Sequence, residues 1–173
     1  SAEWKARKSK RPAPRVERTA IIKDRAHAGW RERVPIEMQR LADLRAVLPR
    51  NGIVAAQSIL GHWARYALEM YEPGKFLFAN TFGSMGYAFH AAIGAKIARP
   101  DAEVWVVVGD GGFQMTLCEL ATLQQEQLDI NICIINNGFL GMVRQWQEFF
   151  YDKRYAATPI TAPNFAKLAD AYG

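Results

Sequence analysis

The sequence predicts an α/β fold, a parallel sheet with helices on both faces. Short apolar runs rich in β-branched residues alternate along the chain with segments of helical spacing, and this alternation is typical of βαβ units. The chain has 173 residues, 50% of them hydrophobic, which is enough for one domain with a sizeable core. Ligands of such sheets bind at the carboxyl ends of the strands. The residues that follow each strand are therefore the first candidates for a site.

The ordered part of the chain is predicted to begin with a helix at Pro35, a residue suited to a first helical turn, and Pro49 ends this helix. Strands and helices then alternate. In chain order they are a strand at 53–56, a helix at 59–70, a strand at 76–79, a helix at 87–98, a strand at 104–108, a helix at 113–127 and a strand at 130–135.

The first 33 residues are basic and are predicted to be a linker or tail. They hold 11 Lys and Arg against 4 Asp and Glu, while the rest of the chain holds 11 against 13. Prolines and a low apolar content are typical of a solvated segment. A nucleic-acid-binding arm is the alternative, but no aromatic residue interleaves with the charges of residues 5–18, so we expect no nucleic-acid partner. The predicted organisation is a basic tail at 1–34 and one domain at 35–173.

The expected location is cytoplasmic, without a membrane partner. The longest apolar runs have only the length of a strand, and the first residues lack a signal-type apolar core. The two cysteines have neither metal-binding nor disulfide spacing. The chain opens without Met and stops at Gly173 directly after an amphipathic segment, so we expect a fragment of a longer subunit, truncated at its C-terminus.

A glycine-rich turn after the strand at 104–108 is the main candidate site. It consists of Gly109, Asp110, Gly111 and Gly112. Glycines let the backbone approach a phosphate closely, and the N–H groups at the start of the following helix favour negative charge. Asp110 supplies one hard oxygen ligand and Asn137, after the next strand, a second; Mg²⁺ binds through few protein oxygens and completes its shell with phosphate and water. A surface turn and a strand terminator are the alternative, but the position at the ends of adjacent strands favours a magnesium-phosphate site.

The two motifs together resemble the signature of thiamine diphosphate enzymes. Gly-Asp-Gly is followed, 27 positions after Asp110, by the second Asn of an Asn-Asn pair. The segments 83–94, 141–147 and 149–151 are similar to the C-terminal, diphosphate-binding domain of the acetolactate synthase catalytic large subunit. The resemblance covers roughly residues 35–173 and implies the thiamine diphosphate-binding fold.

The resemblance implies a cofactor role for each matching residue. The magnesium ligands would be Asp110, Asn137 and the main-chain carbonyl of Phe139. The rest of the cofactor-binding set would be Met85, Gly109, Gly111 and Gly112. Among these, Met85 would wedge beneath the thiamine and keep it bent.

The resemblance also places Met142 and Trp146, one helical turn apart, along the substrate channel. The alternative for this pair is a hydrophobic contact within the core. No catalytic residue is expected in this chain, because the activating glutamate of the family lies in a separate pyrimidine-binding domain. We therefore expect the isolated chain to be inactive.

The implied activity is carboligation of 2-keto acids, dependent on thiamine diphosphate and Mg²⁺, within branched-chain amino acid biosynthesis. Pyruvate would lose carbon dioxide and the remaining unit would be added to a second 2-keto acid, giving a 2-acetohydroxy acid. This chain would supply the diphosphate and magnesium half of the site. The family also implies a homodimer or tetramer, a possible regulatory small subunit, and FAD in a domain that this sequence does not contain.

Some positions depart from the acetolactate synthase pattern. Counting back from Trp63, Ile59 and Leu60 stand where that subfamily has a Gln-His pair on the diphosphate, and His90 stands where a proline is usual. His62 and His90 are each expected to be structural rather than catalytic. Two alternatives stay open: a related thiamine diphosphate decarboxylase or carboligase with another substrate, and a non-catalytic phosphate-binding module.

Overall fold

The computed structural model describes residues 13–173, which form a four-stranded sheet and its surrounding helices. The helices are α1 (Ala13–Arg33), α2 (Pro35–Val47), α3 (Ser58–Ala67), α4 (Tyr87–Ala98), α5 (Asp110–Gln114), α6 (Leu120–Gln125), α7 (Gly141–Phe150) and α8 (Phe165–Tyr172). The strands are β1 (Ile53–Ala56), β2 (Phe76–Phe78), β3 (Val104–Gly109) and β4 (Asn131–Ile135), and a 3₁₀ turn spans Leu117–Glu119. The predicted α/β fold class is confirmed.

The strand order in the sheet is β2-β1-β3-β4, and all neighbouring strands are parallel. The chain moves from β1 toward one edge of the sheet and from β3 toward the other, so the strand order reverses between β1 and β3. A crevice for ligands forms at such a reversal, outside the carboxyl ends of the two strands. Gln57 and Asp110 are the residues that follow these two ends.

Both faces of the sheet are covered, because alternate residues of the central strands point to opposite sides. One cluster joins the sheet to α4 and α5 and contains Ala55, Val106, Val108, Phe89 and Phe113. The other joins the sheet to α2 and α3 and contains Val54, Val107, Leu44 and Ala64. Burying one such valine stabilises the fold by about 1.5–3 kcal/mol. The central strands are therefore the most firmly held part of the described chain.

The helix predicted at 113–127 is wrong as a continuous element. The segment instead forms α5, the 3₁₀ turn and α6 in succession. Thr116 interrupts it, with φ −133° and ψ 9°, and its hydroxyl donates to the Phe113 carbonyl at 3.3 Å. Threonine competes for backbone hydrogen bonds in this way and so breaks short helices. The break separates the glycine-rich turn from the helix that leads to β4.

The structure also corrects the prediction of a linker at 1–34, because residues 13–33 form α1. Trp30 anchors this helix: its ring lies 4.9 Å from that of Trp63 and 6.1 Å from that of Tyr66, centroid to centroid. Lys23 forms an ion pair with Glu69. The low apolar content indicated solvation correctly, since α1 is mostly exposed, but a few aromatic contacts suffice to dock a helix. The tail prediction for residues 1–12 lies outside the described residues.

The longest of the described helices is α1, with 21 residues. Charged residues recur along it. Within residues 13–173, no helix is both long and apolar enough to cross a membrane.

Candidate functional site

The carboxyl ends of three strands meet at one edge of the sheet, and each is followed within two residues by an amide or carboxylate side chain. These are Gln57 after β1, Asp110 after β3 and Asn137 after β4. The register pairs Ala56 with Val107 and Gly109 with Ile135. Because the strands are parallel, the three polar side chains share the same edge.

Asp110 is buried, with only 1% of its surface exposed. Its Oδ2 accepts a hydrogen bond from the main-chain N–H of Gly138 at 2.8 Å. This bond ties the end of β3 to the loop that follows β4. Among the described residues, no group donates to Oδ1. A buried carboxylate with a single hydrogen bond can accept a further partner, and its charge suits a cation.

Asn137 and Phe139 lie in the loop after β4. The Asn137 Oδ1 accepts from the Phe139 N–H at 3.0 Å, which forms a local turn, and Gly138 between them has φ +70°. The loop is held from the other side, since the Leu140 N–H donates to the Thr158 carbonyl and Phe139 bridges to Pro159. The Asn137 oxygen has a second lone pair for a ligand. Metal binding by these two residues stays a prediction.

Gly111 and Gly112 lie in α5, where there is no space for a side chain. A Cβ built on Gly112 would lie 2.0 Å from Nε2 of Gln57, and one built on Gly111 would lie 2.8 Å from Cδ2 of Leu140. Cε of Met85 approaches the same Gly111 position to 3.7 Å. The structure therefore brings Met85 beside the glycine-rich turn, as the predicted cofactor site requires.

Gln57 is a candidate site residue that the sequence reasoning missed. Its side chain is 4% exposed, and its Oε1 accepts the Ala88 N–H at 2.9 Å. Nε2 is buried without a hydrogen-bond partner among the described residues and faces Gly112. Buried polar groups in proteins are nearly always paired, so this free donor points to a ligand. The sequence does carry a signal for Gln57, because this polar residue directly follows a wholly apolar strand. The family pattern, counted back from Trp63, pointed to Ile59 instead.

Met142 and Trp146 lie on α7 and are both exposed, Trp146 to 59%. The alternative interpretation, a contact within the core, is therefore wrong for the described part of the chain. They belong to an apolar surface on α7, which we call the α7 surface and which consists of Met142, Val143, Trp146, Phe149 and Phe150. The substrate-channel role of Met142 and Trp146 stays a prediction.

The donors at this edge are chemically suited to magnesium and a diphosphate. Within residues 13–173, no three His, Cys, Asp or Glu side chains converge on a common point. A metal here would thus be held by one carboxylate, one amide oxygen and one main-chain carbonyl, a set of hard oxygens that suits Mg²⁺. The backbone N–H groups of the two glycines and the unpaired amide of Gln57 are donors of the kind that bind phosphate oxygens. The residues fit the expected cofactor.

Comparison with known proteins gives the family. Residues 59–173 match the family described as thiamine pyrophosphate enzyme, C-terminal TPP binding domain. The chain belongs to the thiamine pyrophosphate enzymes. The matched range includes every predicted site residue, and Gln57 lies two positions before it.

Two curated relatives of this thiamine pyrophosphate enzyme domain are acetolactate synthases. The acetolactate synthase of Mycobacterium leprae is 50% identical over 116 residues, which are 64% of this chain and 19% of that protein. The acetolactate synthase large subunit of Cyanidium caldarium is 50% identical over 113 residues, again 64% of this chain and 19% of the relative. The predicted resemblance is confirmed, and the chain spans about a fifth of the length of these relatives.

A solved structure shares the fold of this thiamine pyrophosphate enzyme domain. The thiamine diphosphate-dependent 4-hydroxybenzoylformate decarboxylase of Rhodococcus jostii RHA1 superposes with a TM-score of 0.72 at 25% sequence identity. The superposition covers 79% of this chain and 26% of the decarboxylase. The fold is thus that of a domain within a longer thiamine diphosphate enzyme.

Proposed function

We propose that this chain supplies the diphosphate- and magnesium-binding half of the active site of an acetolactate synthase-like carboligase. The enzyme would decarboxylate pyruvate and add the remaining unit to a second 2-keto acid, giving a 2-acetohydroxy acid. The observation that carries the proposal is the buried Asp110, whose carboxylate joins the end of β3 to the Asn137 loop through Gly138. The identity of 50% to two acetolactate synthases supports the choice of reaction.

Each candidate residue has one task in this proposal. Asp110, Asn137 and the Phe139 carbonyl would ligate Mg²⁺. The backbone of the glycine-rich turn and the free amide of Gln57 would bind the diphosphate, and Met85 would support the thiamine. Thiamine diphosphate, when bound, supplies the carbanion chemistry, so the protein residues bind and orient it.

The rest of the site would come from outside the described residues. The activating glutamate would reside in a pyrimidine-binding domain, supplied across a homodimer or tetramer interface. FAD and a regulatory small subunit would belong to the full-length assembly, which we propose to be cytoplasmic. The exposed α7 surface supports this proposal, since large exposed apolar patches mark interaction surfaces.

The test is calorimetric titration of thiamine diphosphate into the chain, with and without Mg²⁺. We expect binding that requires Mg²⁺ and that weakens by more than about 100-fold in Asp110→Ala. Removing a residue that only orients a metal ligand lowers affinity by about 10–100-fold, so a larger loss indicates a direct ligand. Asp129→Ala is the matched control, because Asp129 is exposed just before β4, at the opposite edge of the sheet. Asp110→Asn retains an acceptor for the Gly138 N–H but removes the negative charge. It therefore separates the loss of a metal ligand from the loss of the hydrogen bond to the loop after β4.

Binding that is independent of Mg²⁺, or unchanged in Asp110→Ala, would contradict the proposed site. If the unmodified chain fails to bind, the titration is repeated with the pyrimidine-binding domain of a relative added, and continued failure rejects the proposal. Equal affinity for inorganic pyrophosphate and thiamine diphosphate would favour the phosphate-binding module instead.

A decarboxylase is the second candidate, favoured by the fold shared with the 4-hydroxybenzoylformate decarboxylase. The two reactions differ in product. The chain reconstituted with the missing domains would be supplied with pyruvate and a second 2-keto acid. A 2-acetohydroxy acid supports carboligation, whereas an aldehyde as the sole product supports the decarboxylase.

A further inference from the structure

His90 joins two segments that flank the candidate site. Its ring Nδ1 lies 3.0 Å from the main-chain oxygen of Gly86, and its Nε2 lies 3.6 Å from Oε1 of Glu119. The Gly86 carbonyl is an acceptor, so Nδ1 is the donor in this contact, while Nε2 faces the Glu119 carboxylate at a distance longer than a hydrogen bond. Glu119 is itself oriented, because Oγ1 of Thr122 donates to its Oε2 at 2.8 Å. The contact thus ties the start of α4 to the 3₁₀ turn that follows α5.

Gly86 is the point at which the turn before α4 is fixed. It has φ +87°, in the left-handed region that favours glycine, and a Cβ built on it would lie 2.5 Å from Cγ2 of Thr116. The His90 ring holds its carbonyl, and the methyl group of Thr116 closes the space beside its Cα. The preceding residue, Met85, is thereby set at its distance from Gly111.

We propose that His90 is a positioning residue for the cofactor. Together with Glu119, it fixes the turn that presents Met85 relative to α5, the helix that would bind the diphosphate. The inference rests on the proposed function, in which Met85 supports the thiamine while Gly111 and Gly112 receive the phosphates. A ligand that contacts only α5 does not depend on the contact between His90 and Glu119, whereas a ligand that contacts both α5 and Met85 does.

The contact between His90 and Glu119 is expected to affect cofactor binding more than folding. The His90 side chain is 55% exposed, and exposed ion pairs contribute little to global stability. The surrounding core, including Phe89 and Ala92 on the same helix, stays intact without it. Variants of His90 are therefore expected to fold.

The experiment compares two ligands in the presence of Mg²⁺. By calorimetry, His90→Ala is expected to lower affinity for thiamine diphosphate by about tenfold, the factor that corresponds to one net hydrogen bond. Glu119→Gln is expected to lower it by a smaller factor, because its contact with His90 is longer than a hydrogen bond. Affinity for inorganic pyrophosphate, which lacks the thiamine rings that Met85 would support, is expected to stay unchanged. His90→Asn, whose amide can take the place of Nδ1, should recover part of the loss. Ile97→Ala on α4 and Glu126→Gln are exposed controls that should match the unmodified chain.

A second measurement needs no ligand. Amide hydrogen exchange at residues 83–88 is expected to accelerate in His90→Ala and in Glu119→Gln, with no further increase in the double variant. Unchanged exchange, or an equal loss of affinity for both ligands, would overturn the positioning role. Failure of the unmodified chain to bind either ligand, even with the pyrimidine-binding domain of a relative added, would instead reject the proposed function. Exchange at 83–88 would still decide whether His90 and Glu119 hold the turn.

Discussion

The centre of the sheet and its β4 flank differ in how completely this chain builds them. At the centre, β1 and β3 are covered on both faces, and the side chains that follow them, Gln57 and Asp110, are buried. At the flank, β4 is only half-buried, and the α7 surface, which follows β4 in the chain, is exposed, with Phe150 at 74%. The difference teaches that the two halves of the candidate site have different origins. The proposed diphosphate end is formed within the chain, and the end proposed to face substrate needs a further covering surface.

The physical reason lies in the position of the strands. A central parallel strand has a neighbour on each side and helices above and below, so its carboxyl end is fixed by the core. An edge strand has one neighbour, and residues beyond it depend on whatever packs there. The α7 surface is apolar enough to serve as such an interface.

The largest expected effect comes from a matched pair of phenylalanines, one from each region. Phe113 is 2% exposed and packs against Phe89 and Phe165, with ring centroids 5.4 Å and 5.7 Å away. Phe113→Ala should lower the free energy of unfolding by about 3–5 kcal/mol, because it leaves a cavity. Phe150→Ala should change it by less than about 0.5 kcal/mol. Urea unfolding followed by circular dichroism measures both, and similar losses in the two variants would remove the distinction between the regions.

Much of the central region could be predicted from the sequence. The strand at 53–56 and the helix at 87–98 have the predicted bounds. Both were predictable because the strand is wholly apolar and the helix is rich in small residues, patterns that indicate buried elements. The convergence of Asp110 with the Asn137 loop followed from parallel topology alone, because adjacent strands end at the same edge.

The rest depends on contacts between distant parts of the chain. The importance of Gln57 becomes visible only when α5 places Gly112 against its amide. The break at Thr116 reflects a local hydrogen bond that competes with helical spacing. The docking of α1 brings Trp30 against Trp63 of another helix and Lys23 against Glu69, contacts between residues far apart in the chain. Periodicity carries none of this information.

A matched pair of glycines sharpens the comparison within the site. Gly112→Ala would force the Gln57 amide aside and break its bond with the Ala88 N–H, so we expect a loss of about 1–3 kcal/mol of unfolding free energy. Gly94→Ala, at an exposed helical position with nothing within 4 Å, should stabilise the chain by about 0.5–1 kcal/mol. Urea unfolding measures both changes in unfolding free energy.

The Gln57→Ala background is the control for this pair. There the Gly112→Ala cost should fall, because the amide that the new methyl group would meet has gone. An unchanged cost would show that Gly112 is constrained by its own backbone and that Gln57 is only a neighbour.

The smallest expected effect concerns the attachment of α1, the most peripheral described element. A hydrogen bond from Lys23, together with its charge, holds the pKa of Glu69 below the usual value of 4.5, against a smaller raising effect of burial. A carboxyl whose pKa is lowered by folding stabilises the folded state above its unfolded pKa, and this contribution is lost as pH falls through the folded value. The unfolding free energy should therefore fall slightly more between pH 7 and pH 3 in the unmodified chain than in Lys23→Met.

This difference should be less than about 1 kcal/mol, because both side chains are more than one third exposed and solvent screens the pair. Added salt should reduce it further. Tryptophan fluorescence during urea unfolding follows it, since Trp30 packs on α3 only while α1 is docked. Equal pH dependence in the two proteins would mean that Trp30 and its aromatic contacts hold α1 without help from the ion pair, so that apolar contact governs attachment at the periphery as it does at the centre.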